Sequence, residues 1–309
     1  MLERAAFHVL DNLARRRTGH GINDHHSASN QKLCGMFSVM VECGDRGVNF
    51  GCIAFARRRR MHTEAGPARS LDPPRRPADI GAMCGRFTQQ MSWRELHDLY
   101  DIHNNVNLRA SYNVAPTDDV AVIRYRPDTK QRRLDLLRWG VVPFWADNIK
   151  IGAGMINARA EGIATKPAFR EAFVSRRCII PADGFYEWKK LDQKRKQPYR
   201  IVMKDRSIFG FAGLWDRWTD KSSGQTVQSC TIITTEANAV SAPIHDRMPV
   251  ILDADSNRAW LGEEAVSTDD LLALLRPYPA DRMEAYPVSP AVGNVKNNDP
   301  SLIDPLPLA

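Results

Sequence analysis

Cysteine is scarce in this chain. Six cysteines occur in 309 residues: Cys34, Cys43, Cys52, Cys84, Cys178 and Cys230. No two of them form a C-x-x-C pair, and no histidine stands at metal-ligand spacing. A chain this long with so few cysteines is not a disulfide scaffold. We therefore expect a protein of a reducing compartment that needs no metal and no cofactor.

Long hydrophobic runs are also missing. No stretch approaches the roughly 18 apolar residues of a membrane span, and the N-terminus lacks the continuous apolar core of a secretory signal. The run Arg15–Arg17 is typical of an organellar transit peptide, but the acidic Glu3 and Asp11 argue against one. The sequence thus predicts a cytoplasmic protein without a membrane partner.

Excess charge is confined to the first part of the chain. Residues 1–83 hold 13 of the 43 Lys and Arg residues and 8 of the 36 Asp and Glu residues, a net charge of +5. Residues 84–309 therefore carry only +2. The positive charge of the whole chain is no evidence that its later part binds nucleic acid, so any DNA affinity there must come from a local basic patch.

Residues 1–82 do not have the pattern of a folded domain. They contain four consecutive arginines (Arg57–Arg60) and four prolines between Pro67 and Pro77, without sustained hydrophobic periodicity. Such a segment does not bury enough apolar surface to fold alone. One interpretation is a basic nucleic-acid arm. The interpretation we favour is a disordered extension, or upstream sequence translated from a start codon set too early, followed by one domain over 83–309.

The later part alternates short strands with few helices. Ser92 and Glu95 form a capping box that predicts a helix to Tyr100, and further helices are predicted over 167–176 and 267–275. Alternating or β-branched runs predict strands over 120–126, 134–142, 178–180, 185–189, 199–203, 208–218 and 229–235. Since no β-α-β alternation is present, we predict an α+β fold with curved, mainly antiparallel, barrel-like sheets and a few peripheral helices.

Four polar residues in otherwise apolar stretches are candidates for chemistry: Cys84, Asn157, Glu187 and His245. A cysteine, an acid and a histidine on one domain are the components of nucleophilic catalysis. Each also has an ordinary structural explanation, because a lone cysteine is usually a small buried hydrophobe and a lone histidine is usually a satisfied core residue. Composition alone leaves both interpretations open.

Six motifs occur in chain order: Met83–Phe87 (Met-Cys-Gly-Arg-Phe), Tyr112–Thr117, Arg138–Gly140 with Pro143–Trp145, Ile156–Glu161, Cys178–Trp188 and His245–Val250. Their combination resembles the SRAP family, the SOS-response-associated proteins that process abasic sites in DNA damage. The resemblance covers essentially all of 83–309 and says nothing about 1–82.

The resemblance implies a covalent chemistry that needs Cys84 as the first residue. Its α-amine would attack the open-chain aldehyde of an abasic site in single-stranded DNA and form a Schiff base. Its thiol would then close a thiazolidine ring, an intramolecular step with a proximity advantage. An α-amine with a pKa of about 7.7–8.0 is partly neutral at neutral pH.

The resemblance also implies roles for individual residues. Glu187 corresponds to the acid/base that moves protons, Asn157 to the residue that orients the cysteine, and His245 to the group that assists opening of the sugar. Arg86 and Arg159 are implied phosphate contacts. Trp139 and Trp188 are implied stacking surfaces for a displaced base, with core packing as the alternative for both.

In this sequence Cys84 is internal, so its nitrogen is an amide. We expect that translation begins at Met83, which is then removed, or else that the chain is cleaved after Met83. The leading prediction is a monomeric abasic-site cross-linking enzyme that acts at damaged DNA in the nucleoid, with hydrolase (autopeptidase) and lyase activities as further expectations. The alternatives are a cysteine-type peptidase and a non-catalytic single-stranded DNA-binding module.

Overall fold

The structure, a computed structural model, describes residues 84–307. The expectation that residues 1–82 are a disordered or spurious extension lies outside the described residues and stays a prediction. Strands dominate the described part, its helices are short, and no helix in it is long and apolar enough to cross a membrane. The predicted α+β class is confirmed.

Thirteen strands and four α-helices lie within residues 84–307. The strands are β1 (Arg86–Gln89), β2 (Ser111–Val114), β3 (Asp119–Arg126), β4 (Gln131–Trp139), β5 (Asn157–Arg159), β6 (Arg177–Ala182), β7 (Gly184–Lys190), β8 (Lys196–Met203), β9 (Phe209–Thr219), β10 (Thr226–Glu236), β11 (Arg247–Pro249), β12 (Ile251–Leu252) and β13 (Met283–Pro287). The α-helices are α1 (Trp93–Tyr100), α2 (Arg170–Ser175), α3 (Asn257–Leu261) and α4 (Thr268–Ala273).

Five strands close into a barrel. Strand β10 pairs with β4, β4 with β3, β3 with β6, β6 with β9, and β9 pairs back with β10. Only the β10–β4 contact in this ring is parallel. A second sheet has the order β13-β8-β7-β1-β2 and is antiparallel throughout. The barrel-like, mainly antiparallel prediction is therefore confirmed.

The side-chain alternation of β3 divides the core in two. Val120 and Val122 belong to a buried cluster that joins the barrel to β1, β7 and β8 of the second sheet. Ala121 and Ile123 belong to another cluster, which the apolar faces of the helices cover. Successive strand residues point to opposite faces, so one strand supplies both layers. Burial of each large aliphatic side chain contributes about 1.5–3 kcal/mol to folding.

The predicted helices and strands differ from those of the structure mainly at their ends. The capping box forms as predicted: Ser92 accepts from the Glu95 amide, and the Glu95 side chain accepts from the Ser92 amide. The helix predicted over 167–176 begins only at Arg170, and the strand predicted over 134–142 ends at Trp139. Gly140 follows that strand with a φ of 117°, which lies outside the extended region, and it approaches Gly152 so closely that a Cβ would meet the Gly152 carbonyl.

Candidate functional site

The register between β1 and β7 brings Cys84 beside Glu187. The pairs are Arg86 with Tyr186 and Phe87 with Phe185. Because the strands are antiparallel, the residues just before β1 continue towards the second half of β7. The N–H of Cys84 donates to Oε1 of Glu187 at 2.6 Å, across 103 positions of sequence.

Both members of this contact are buried. Cys84 is 2% exposed and Glu187 is 1% exposed. Burial raises the pKa of the Glu187 carboxyl to about 7, although the hydrogen bonds from the Cys84 thiol and amide and the Trp188 amide oppose the rise. Burial, followed by the charge of Glu187, also raises the pKa of the Cys84 thiol well above its ordinary value, and the positive charge of Arg247 opposes it. The arrangement holds a protonated thiol next to a carboxyl that titrates near neutral pH.

A cavity of about 710 Å³ opens beside this contact. Glu187, Trp188, His245 and Arg86 line it, and so does Gly85, the neighbour of Cys84. Cys84 and Asn157 are not among the lining residues. The cavity therefore borders Glu187 and His245 directly, and it borders Gly85 but not Cys84 itself.

His245 lies in the loop between β10 and β11 and has two neighbours for Nδ1. The Arg247 N–H donates to Nδ1 at 3.2 Å, and a carboxylate oxygen of Asp246 lies 2.9 Å from the same atom. The first contact needs the lone pair on Nδ1 and so places the ring proton of a neutral imidazole on Nε2. The second needs a proton on Nδ1. Nδ1 can therefore make only one of the two hydrogen bonds at a time, and the position of the ring proton decides which one forms.

Asn157 and Arg159 are at the two ends of β5. This short strand runs parallel to β10, with Asn157 opposite Ile232 and Arg159 opposite Thr234. Asn157 is half-buried and Arg159 is exposed. Side chains alternate along a strand, so Asn157 and Arg159 point to the same face and the buried Ala158 to the other.

Arg86 is held by a residue that sequence reasoning did not single out. Its Nη1 donates to Oδ1 of Asn113 and to the carbonyl of Val292, both at 2.8 Å. Asn113, which is buried, also donates from Nδ2 to the carbonyls of Val292, Asn294 and Asn297. Asn113 stood within the Tyr112–Thr117 motif, where a polar residue between apolar ones was the available signal.

The expectation that Trp139 stacks on a base is wrong. Its indole is fully buried, Nε1 donates to the Ile156 carbonyl at 3.0 Å, and Phe87 packs edge-on with its ring centre 4.9 Å away. Such aromatic pairs add about 0.5–1.5 kcal/mol beyond burial. Trp139 is a core residue, whereas the half-buried Trp188 lines the cavity.

Comparison with protein families gives a match over most of the chain. The model described as SOS response associated peptidase (SRAP) matches residues 83–295. The "Abasic site processing protein YoaM" of Bacillus subtilis is 50% identical over 225 residues, which are 72% of this chain and 98% of that protein. The "Abasic site processing protein YedK" of Escherichia coli is 33% identical over 231 residues, 72% of this chain and 100% of that protein.

A solved structure has a similar fold. The crystal structure of a protein from Bacteroides thetaiotaomicron superimposes with a TM-score of 0.65 and 29% sequence identity. The match covers 72% of this chain and 100% of that one.

Proposed function

The chain belongs to the SOS response associated peptidase family, and on that premise we propose that it processes abasic sites in single-stranded DNA by forming a covalent cross-link through Cys84. The observation that carries the proposal is the 2.6 Å contact between the Cys84 nitrogen and the Glu187 carboxylate. This contact puts a potential nucleophile against a potential acid/base, Glu187, that lines the cavity.

The cross-link forms in two steps, imine formation and ring closure. The Cys84 α-amine adds to the aldehyde carbon of the opened sugar, and the resulting carbinolamine loses water to give a C=N bond. The thiol sulfur then bonds to the same carbon, and its proton passes to the nitrogen, which closes the thiazolidine ring. One water leaves overall, and nothing is oxidised or reduced.

Glu187 serves both proton transfers. It takes a proton as the amine attacks and returns one to the departing hydroxyl. In the chain whose Cys84 nitrogen is an amide, burial raises the pKa of this carboxyl to about 7, so its surroundings favour retention of a proton more than those of an exposed glutamate, as a general acid requires. In a chain that begins at Cys84, an ammonium at the same distance would lower the Glu187 pKa and would share its proton with the carboxylate.

The reacting form of the protein has Cys84 as its first residue. This form arises by translation from Met83 and loss of that methionine, or by cleavage after Met83. The backbone supports it: Cys84 has a φ of 45°, and the left-handed region costs a non-glycine residue about 1–2 kcal/mol. A chain that starts at Cys84 has no such torsion, so the strain disappears together with the amide.

The cavity supplies the remaining contacts. Phosphates bind to two lining residues of the cavity, Arg86 and Lys196, and to the exposed Arg159. Trp188 offers a ring face for a neighbouring base. Because phosphate contacts carry no sequence information, binding is largely independent of sequence. His245, at the same cavity, assists opening of the sugar, and Asn157 orients the cysteine.

The cysteine peptidase alternative is less well supported by the site. A peptidase cysteine attacks as a thiolate, which requires a lowered pKa. Burial and the charge of Glu187 raise the pKa of the Cys84 thiol instead. Addition to an imine can use a thiol whose proton is delivered as the bond forms.

The proposal is tested with the chain expressed from Met83 and with the full 309-residue chain. Intact mass establishes which form begins at Cys84. Each is incubated with single-stranded DNA that carries one abasic site and is then denatured. We expect a denaturation-resistant adduct, one water lighter than the sum of its parts, only from the form with a free Cys84 amine. No adduct from that form, or an equal adduct from a chain whose Cys84 nitrogen is an amide, would overturn the proposal.

A further inference from the structure

An arginine next to the site is already engaged by a carboxylate in the geometry that a phosphate would adopt. Nη1 and Nη2 of Arg247 donate to Oε1 and Oε2 of Glu161 at 2.7 and 2.8 Å. Two parallel bonds from a guanidinium to two oxygens are the pairing that arginine makes with carboxylates and phosphates alike. One ligand can therefore replace the other without movement of the guanidinium.

The position of the arginine is fixed from behind. Nη2 also donates to the Thr234 carbonyl at 2.7 Å, and the same carbonyl accepts the N–H of Ala160, just after β5. The side chain of Arg247 is 12% exposed and that of Glu161 is 61% exposed. A molecule that approaches from solvent therefore meets the exposed carboxylate of Glu161 before it meets the guanidinium of Arg247.

The ion pair between Arg247 and Glu161 is close to the residues of the proposed reaction. The charge of Arg247 acts on the Cys84 thiol, and Arg247 follows Asp246 and His245 directly in the chain. The charge of Arg159, two residues before Glu161, also acts on the Glu161 carboxyl. The exposed carboxylate of Glu161 is therefore influenced by the charges of two arginines, Arg247 and the proposed phosphate contact Arg159.

We propose that Glu161 is a placeholder for a DNA phosphate: it occupies Arg247 in the free protein and is displaced when single-stranded DNA binds. This proposal rests on the proposed function, since it assigns a further phosphate contact to the same site. Before displacement, Glu161 neutralises a buried cation and repels phosphates that do not insert fully. Its effect is to weaken binding of undamaged strands.

The test is binding of undamaged single-stranded DNA to the full chain, measured by fluorescence anisotropy over a range of salt concentrations. Glu161→Gln keeps the size of the side chain and removes the charge that competes. We expect affinity about three- to tenfold higher than wild type, the range that corresponds to loss of one partly exposed bidentate ion pair. We also expect the salt dependence to become steeper by up to about 0.7, the contribution of one phosphate in a single strand.

Two further variants locate the effect. Glu264→Gln removes an equivalent charge from an exposed carboxylate near Arg258, and we expect much less change. Glu161→Gln should have no effect in an Arg247→Gln background, because the contested cation is gone. Glu161 is exposed, so Glu161→Gln should fold. Its affinity decides the question even if the variants of Arg247 do not fold.

Unchanged or weaker binding by Glu161→Gln would overturn the inference and would make Glu161 a residue that only positions Arg247. The proposed function fails separately. If Glu161→Gln binds undamaged strands more tightly but no form with a free Cys84 amine cross-links abasic DNA, the phosphate exchange stands and the cross-linking proposal falls. If cross-linking occurs and the affinities are equal, the reverse holds.

Discussion

The backbone nitrogen of Cys84 lies 2.6 Å from Oε1 of Glu187, and both residues are almost completely buried. The contact depends on the register of β1 against β7, which pairs Arg86 with Tyr186. A buried carboxylate retains its position only when donors satisfy it, and the cysteine is one of these donors. The structural role of this pair and its proposed chemical role therefore use the same atoms.

Glu187→Gln should slow formation of the abasic-site adduct by about a hundredfold, the lower range for loss of a general acid–base group. Glutamine accepts the hydrogen bond through its carbonyl but cannot take up or return a proton. The rate is measured on denaturing gels with the form that begins at Cys84. Affinity for undamaged strands serves as the control and should stay near wild type. An unchanged rate would remove Glu187 from the mechanism.

Substitution of Cys84 should separate the two bonds of the proposed ring. With the free amine kept, Cys84→Ser should form an imine but no thiazolidine, so its adduct should survive denaturation only after borohydride reduction. Acetylation of the wild-type α-amine should abolish both products. A Cys84→Ser adduct as stable as that of wild type, without reduction, would show that the sulfur is not needed.

The raised pKa of Glu187 should appear in the stability of the full chain, in which the Cys84 nitrogen is an amide. The folded pKa is about 7 against an ordinary value of 4.5, so the folded state retains a proton that the unfolded state loses between these values. The free energy of unfolding should therefore fall as pH rises from 4.5 to 7, by about 3 kcal/mol in total for this group. Glu187→Gln should lack this loss.

The measurement is urea unfolding of both proteins at pH 5 and pH 8. The advantage of Glu187→Gln over wild type should be about 2–3 kcal/mol larger at pH 8. Burial also raises the pKa of Asp183 and of Asp216. Both proteins contain these residues, so their contributions cancel in the comparison. An equal difference at the two pH values would contradict the buried, near-neutral carboxyl.

Elements governed by neighbouring residues could be predicted from the sequence. The α1 capping box is complete within four residues, and β3 contains a short apolar run that is rich in β-branched residues. The end of β4 could not be predicted, because the positive φ of Gly140 and its close approach to Gly152 depend on a segment that lies elsewhere in the chain. The strand pairing that closes the barrel could not be predicted either, because it depends on a parallel contact between β10 and β4, which are about 90 residues apart.

The site shows the same division. Cys84, Asn157, Glu187 and His245 were selected as polar residues in apolar stretches and received their roles from the family resemblance. The sequence carried no information on which of them would line one cavity. The prediction for Trp139 was wrong because the motif around it is the same whether the ring is exposed to solvent or packed against Phe87. Burial depends on the packing of separate strands and is not written in a local pattern.

Arg159→Ala should weaken binding of single-stranded DNA a few-fold and should make its salt dependence shallower by about 0.7, the loss of one phosphate contact. Arg159 is exposed at the end of β5, so the fold should be unaffected. Lys221→Ala, which removes an exposed cation paired with Asp147 at 3.5 Å, provides the control. A salt slope equal to that of wild type would place the phosphate contacts elsewhere.

Asn113→Ala should reduce both stability and DNA binding. The buried amide supplies the hydrogen bonds that hold residues 292–297 and also accepts from Arg86. Loss of buried hydrogen-bond partners costs about 1–3 kcal/mol, and a released Arg86 should bind phosphate several-fold more weakly. Asn104→Ala is the matched control, because Asn104 bonds the backbone of Leu134 in both directions. It should lower the free energy of unfolding without lowering DNA affinity, measured at a temperature where both variants are folded. Equal DNA affinities for the two variants would show that Asn113 supports the fold and does not position Arg86 for binding to DNA.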